Sequence, residues 1–200
     1  YSRIKNKGLR MAVVQFNRLS PINFRKIQKI AKGHDIKGLA LFARTNINLY
    51  KITGDFEYIK ESTKILRFIE KRSLKSKKGK HCWSGHYFEV EMYKSSLSPN
   101  KPEIISTVMC GQAFLEHYKI TGSNSSLEKV RDCCKFICED LLIQHEGFEL
   151  FKYYEEDNNR IVYNAVAVAI NFLHESSKVL DYPFPDIIKT CDYIMSLQLQ

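Results

Sequence analysis

A turn used twice constrains this chain more than any other feature. LYKITG (49–54) and HYKITG (117–122) place Tyr50 and Tyr118 68 positions apart. Each copy ends a stretch rich in apolar and small residues and precedes an amphipathic one. A near-identical turn at equivalent points of two helical pairs predicts a repeated helical hairpin.

The first pair begins near Ile36, where GLALFA (38–43) carries almost no polar surface and is expected to be buried on most sides. Beyond the turn Asp55 can cap the next helix, on which Ile59, Ser62, Leu66 and Ile69 share one face. The second pair repeats the plan. Its 104–115 stretch is apolar and small, and Ser125 with Glu128 has capping-box spacing. The following helix is expected to bury Leu127, Val130, Cys134, Ile137 and Leu141. A third pair opens at Ile161 with VYNAVAVAINFL and closes on a helix with Phe184, Ile188, Cys191 and Met195 on one face.

Two long connections interrupt the helices. Residues 73–102 hold a basic run and the aromatic block HCWSGHYFEVEMY, whose alternation over 87–93 fits a short strand. Residues 144–160 alternate through GFELFKYY and then turn at EEDNN, as a β-hairpin does. A buried helix paired with a one-faced helix, three times over, in units longer and less equal than the roughly 34 residues of a TPR, predicts an all-α fold. The expected architecture is an incomplete α/α toroid of three hairpins, with long loops on one rim, as a single domain over 1–200. The start at Tyr1 and the helical pattern at Gln200 read as a fragment. An open ring would offer its apolar sides to a second copy, as a homodimer, or to the rest of the toroid.

The composition, 44% apolar and 26% charged, is that of a globular protein, and no apolar run is long enough to cross a bilayer. A net charge of +9 favours anionic partners. Lys71, Arg72, Lys75, Lys77, Lys78 and Lys80 cluster within ten positions and read as a solvated loop or an anion-binding lid. No aromatic residue interleaves with them and no nucleic-acid module is recognisable, so nucleic acid is not an expected partner. Of the six cysteines, four fall on faces expected to be buried. Adjacent and i,i+4 spacings do not make a disulfide framework, which favours reduced thiols and a cytoplasmic location.

Taken together, SPINFRKIQKIAKG, GLALFARTNINLYKITGD, CWSGHYFE, the second KITG hairpin and RIVYNAVAVA resemble the six-hairpin (α/α)6 toroids. They are similar in particular to a bacterial and archaeal branch associated with surface-polysaccharide biosynthesis. The resemblance runs over nearly the whole chain and covers about half of a toroid. It implies a funnel lined by the N-terminal ends of the inner helices, where carbohydrate binds, and an activity, where there is one, of sugar hydrolysis, lysis or epimerisation. The family's aromatic-Gly-Tyr-x-Phe-Asp-Trp loop is matched by Trp83, Gly85, His86, Tyr87, Phe88 and Glu89. Here Glu89 replaces the aspartate, Val90 replaces an aromatic residue and Ser84 is inserted.

On this reading Trp83, Tyr87 and Phe88 are sugar-stacking candidates, because an aromatic face packs on the C–H face of a pyranose. Tyr163 and Asn164, at the start of the third inner helix, would bind substrate or cap the helix. His86 and Glu89 are the acid–base candidates. Glu91, Glu149, Glu155, Glu156 or Asp157 could supply the second carboxylate that glycoside hydrolysis needs. A zinc site of His81, Cys82 and His86 lacks any recognised spacing, no phosphate loop or nucleophile elbow is present, and neither metal nor cofactor is expected. The function implied is a carbohydrate-active protein of surface-polysaccharide biosynthesis or modification that binds an anionic glycan or sugar nucleotide. A helical scaffold for a protein partner is the alternative.

Overall fold

The computed structural model describes residues 4, 6–24, 27–29, 33–85, 90–91, 96–97, 100–156 and 161–198. The chain divides into two compact units, Tyr1–His34 and Asp35–Gln200. In the first, helix α1 (Lys7–Leu19) is capped by Asn6, whose side chain accepts from Leu9 N at 3.1 Å.

The second unit is mostly helical and has the fold of a partial α/α toroid. Helices α2 (Ile36–Thr53), α4 (Ile104–Thr121) and α6 (Tyr163–Ser177) form an inner row, with α4 packed against both others. Helix α3 (Glu57–Glu70) returns along α2, and α5 (Asn124–Lys135) returns along α4, prolonged by a π-helical turn, Phe136–Asp140. Helix α7 (Ile187–Gln198) packs on α6 and on the strand Phe148–Phe151.

The repeated motif terminates α2 and α4 in the same way. Gly54 (φ 72°) and Gly122 (φ 65°) occupy the left-handed region, and each donates its N–H to the carbonyl of its motif tyrosine at 2.8 Å. The motif threonine accepts the next N–H, Asp55 on Thr53 at 3.2 Å and Ser123 on Thr121 at 3.3 Å. A Cβ in this region of φ meets the neighbouring carbonyl. Gly122→Ala is expected to cost about 1–2 kcal/mol, read as a lower denaturation midpoint with unchanged slope.

Helix α4 has no polar side, which is why ten of its residues, from Ile104 to His117, are buried. Gly111 is required there, because a Cβ would lie 2.5 Å from Phe172 of α6. The inner helices run parallel. Arg44 of α2 bridges Gln112 (2.9 Å) and Glu116 (2.7 Å) at matching depth in α4. The outer helices bury single stripes as expected: Ile59, Ser62, Leu66 and Ile69 on α3, then Val130, Cys134, Ile137 and Leu141 after the second turn.

Several details differ from the sequence reading. Helix α5 is capped by Ser123, which accepts from Ser126 N, so Ser125 and Glu128 lie inside the helix. Helix α6 starts at Tyr163, because Ile161 pairs with Lys152 in a β-bridge. On α7 the buried side carries Thr190, Tyr193 and Ile194, whereas Ile188, Cys191 and Met195 are exposed. The helix is apolar on both sides, so periodicity alone does not choose between them.

The connections are short antiparallel pairs. β1 (Leu74–Lys75) pairs with β2 (His81–Cys82), and β3 (Val90–Glu91) with β4 (Ser96–Leu97). β5 (Leu142–His145) pairs with β6 (Phe148–Phe151) through a turn with positive φ at Glu146 (52°) and Gly147 (81°), the two-residue geometry that matches strand twist. A hairpin is present, but it turns at Glu146 and Gly147, ahead of the EEDNN turn that the sequence suggested.

Candidate functional site

Because α2, α4 and α6 are parallel, their N-terminal ends lie at one rim, which Trp83–Gly85 and Tyr153 also reach. Asp35 caps α2 by accepting from Lys37 N at 3.0 Å. At the head of α4, Glu103 is 1% exposed. Its N–H donates to Trp83 O at 3.0 Å and the next N–H, of Ile104, to Tyr153 O at 3.1 Å. Its carboxylate accepts from the Ser106 hydroxyl and lies 3.5 Å from Lys37 Nζ. Gly85 lies against this trio: a Cβ there would stand 2.5 Å from Glu103 Oε1 and 2.7 Å from both Lys37 Nζ and Ser106 Oγ. The rim thus holds a buried carboxylate, an ammonium and a hydroxyl beneath a backbone that only glycine allows.

Glu103 was not singled out from the sequence. The available signal was its place just before an apolar helix, with Ser106 three residues on, a capping box with its partners exchanged.

Of the sequence candidates, Trp83 belongs to the core. It is fully buried, its Nε1 donates to Ile69 O at 2.9 Å and its N–H to Thr107 Oγ1 at 3.1 Å. Phe114 and His81 flank its ring, with centroids at 5.9 and 6.5 Å. A sugar cannot stack on a ring held this way, so the platform expected at Trp83 is instead the anchor of the loop. His86, Tyr87, Phe88 and Glu89 lie outside the described residues, as does Asp157. Tyr163 and Asn164 are exposed in the first turn of α6. Tyr163 also reaches the Tyr193 hydroxyl, which donates to Glu146 at 2.9 Å, and that bond pushes the Tyr193 phenol up to about 12.

Glu149, Glu155 and Glu156 are engaged in structure, and the Glu91 side chain lies outside the described residues. Glu149 accepts from Asp186 N at 3.3 Å and thereby seats the start of α7 on β6. Glu155 and Glu156 hold the basic hairpin, through Lys77 N at 2.8 Å and Lys77 Nζ at 3.7 Å. Lys78 pairs with Asp140 (3.3 Å) and Lys80 with Glu139 (3.7 Å). The run over 71–80 is therefore an ordered β-turn whose central lysines meet carboxylates of the α5 terminus, rather than a free lysine lid.

His81 Nδ1 lies 2.6 Å from Ser73 Oγ, and Lys129 Nζ lies 3.5 Å from its Nε2. Burial first, then Lys129 and Lys75, hold His81 below its ordinary pKa. Cys82 is buried and burial pushes its thiol up to about 12, which disfavours the thiolate a zinc ligand needs. Consecutive strand residues also point to opposite faces. Among the described residues no group of three His, Cys, Asp or Glu side chains is gathered to hold a metal.

At the opposite ends of the helices His117 joins three of them: Nε2 to Thr63 of α3 at 2.9 Å and Nδ1 to Ser126 of α5 at 2.9 Å. Burial lowers its pKa from the ordinary 6.5. The unfolded chain therefore binds this proton more readily than the folded one. Its contribution is complete above the ordinary value and is lost as pH falls through the lower folded value. Chemical denaturation between about pH 7.5 and about pH 5.5 should show a loss of stability that is smaller in His117→Asn.

No protein-family model matches this sequence, and no curated protein matches it. Among the solved structures that share its fold are an epimerase and a mannanase variant. One is cellobiose 2-epimerase from Spirochaeta thermophila DSM 6192, with a TM-score of 0.63 and 13% identity over 81% of this chain and 43% of that one. The other is an inactive variant of an α-1,6-mannanase from Salegentibacter sp. HEL1_6, in complex with α-1,6-mannotriose. Its TM-score is 0.52, with 15% identity over 74% of this chain and 42% of that one. The chain thus spans less than half the length of either.

Proposed function

We propose that this chain is a carbohydrate-active protein that binds a glycan at the rim formed by the N-terminal ends of α2, α4 and α6. The observation that carries this reading is the rim itself, where part-exposed Lys37 heads α2 and exposed Tyr163 and Asn164 head the parallel α6. These side chains supply the donors, acceptors and charge that sugar hydroxyls require, and buried Glu103 with Ser106 holds Lys37 in place. The fold shared with a sugar epimerase and a mannanase supports the same reading.

The finer proposal is an anionic glycan or sugar nucleotide of surface-polysaccharide biosynthesis or modification. His86 and Glu89 are the acid–base pair, and Tyr87 and Phe88 the stacking residues. Titration of the whole chain with neutral and acidic oligosaccharides and sugar nucleotides tests it by calorimetry. Saturable binding that weakens in Tyr163→Ala and Asn164→Ala, with turnover lost in folded His86→Ala or Glu89→Gln, is the expected result. Binding without turnover removes the enzymatic half. Silence across the panel favours a helical scaffold, for which the exposed Leu41 and Phe42 of α2 are the contact surface.

A further inference from the structure

The net charge of +9 has one location. Residues 1–34 contain nine of the 31 Lys and Arg residues and none of the 22 Asp and Glu residues. Residues 35–200 therefore carry 22 basic against 22 acidic side chains and are neutral. Large apolar side chains also stand in water in the first unit, more densely than in the second, where Phe42, Ile52, Phe56, Ile188 and Met195 are exposed. Leu9, Phe16, Leu19, Ile22 and Ile27 are all more than half exposed, Leu19 at 79% and Ile27 at 77%.

The unit has structure of its own. Phe16 stacks on Phe24 with ring centroids 5.4 Å apart, and Asn17 Nδ2 donates to Gln28 Oε1 at 2.9 Å. On α1 the 3.6-residue period gathers Leu9, Val13, Phe16 and Leu19 on one side and turns Arg18 to the other, between the exposed Met11 and Val14. An apolar stripe backed by cations, in a segment without one acidic residue, fits a surface that is apolar below and anionic above. A second copy of this segment would satisfy the stripe but would set nine positive charges against their own kind. A nucleic acid would satisfy the charges and leave the stripe in water. No helix among the described residues is long and apolar enough to cross a membrane, so the contact is with the surface.

We propose that residues 1–34 bind an anionic lipid bilayer, with α1 lying in the interface. Leu9, Phe16 and Leu19 enter the acyl boundary and the Lys and Arg residues meet lipid phosphates. The proposal is independent of the glycan reading, because it uses no residue of the second unit.

Flotation of the whole chain with phosphatidylcholine vesicles, with and without phosphatidylglycerol, tests it. The chain should float only with phosphatidylglycerol, and added salt should weaken binding. Arg10→Glu and Arg18→Glu should each weaken it roughly fivefold or more. The triple variant Leu9→Ser, Phe16→Ser, Leu19→Ser should stay at the bottom of the gradient with the melting of the second unit unchanged. Equal binding to both vesicle types would overturn the proposal. So would a triple variant that floats like the parent, or absent flotation with RNA binding equal in parent and variant. Absent flotation with a dimer that the triple variant dissociates would assign the stripe to a second copy and also overturn it.

Discussion

Replacing Trp83 with alanine is expected to destabilise the second unit by about 3–5 kcal/mol. The indole is the largest fully buried side chain described, and it touches three layers at once. Its Nε1 satisfies the Ile69 carbonyl at the end of α3, its ring packs on Phe114 of α4, and its backbone binds Thr107 and Glu103. Truncation leaves a cavity and removes one of the donors to the Ile69 carbonyl, which keeps the Arg72 N–H at 3.0 Å. Trp83→Phe separates the two terms, since it keeps most of the ring and loses only the hydrogen bond. It should cost about 1 kcal/mol, the net worth of one hydrogen bond, because the Ile69 carbonyl keeps the Arg72 N–H. Equilibrium denaturation of both variants reads this directly. A cost for Trp83→Ala below that expected for Trp83→Phe would mean that the ring lies on the surface, where a sugar could reach it.

Glu103→Ala should cost about 2–3 kcal/mol. Removing one member of a buried ion pair typically costs about 3–5 kcal/mol, because the other charge is stranded. Lys37 is 28% exposed and can turn its ammonium to water, which lowers the figure. The Ser106 hydroxyl has no such escape, being fully buried. Glu103→Gln keeps the shape and the Ser106 contact while removing the charge, so it should recover part of the loss. If the rim is the binding site, both variants should also weaken glycan binding, and Glu103→Gln should do so with little loss of fold.

The toroid-like fold was legible because its determinants are local. Two YKITG turns with glycine in the left-handed region, a helix without a polar side and the one-faced stripe of Ile59, Ser62, Leu66 and Ile69 each depend on neighbours within a few residues. What the sequence concealed depends on distant partners. The lysines of 77–80 read as a free anion trap until Glu139, Asp140, Glu155 and Glu156 are brought beside them. Trp83 sat in an aromatic block that suggested an exposed platform, and only the arrival of α3 and α4 around it makes it core. Glu103 was passed over, since nothing local marks Gly85, 18 positions earlier, as the residue that covers it. On α7 both sides are apolar, so the choice belongs to β6, which takes Thr190 through the Glu149 carbonyl at 2.7 Å.

The central claim is that a sugar is held at the N-terminal rim of the inner helices. Hydrogen exchange of the whole chain, with and without the tightest-binding oligosaccharide of the panel, tests it most directly. Protection should rise at the first turns of α4 and α6 and around Gly85 and Lys37, with little change at the Gly54 and Gly122 turns. Protection concentrated at those two turns, or spread over the exposed side of α2 alone, would put the ligand elsewhere and contradict the account.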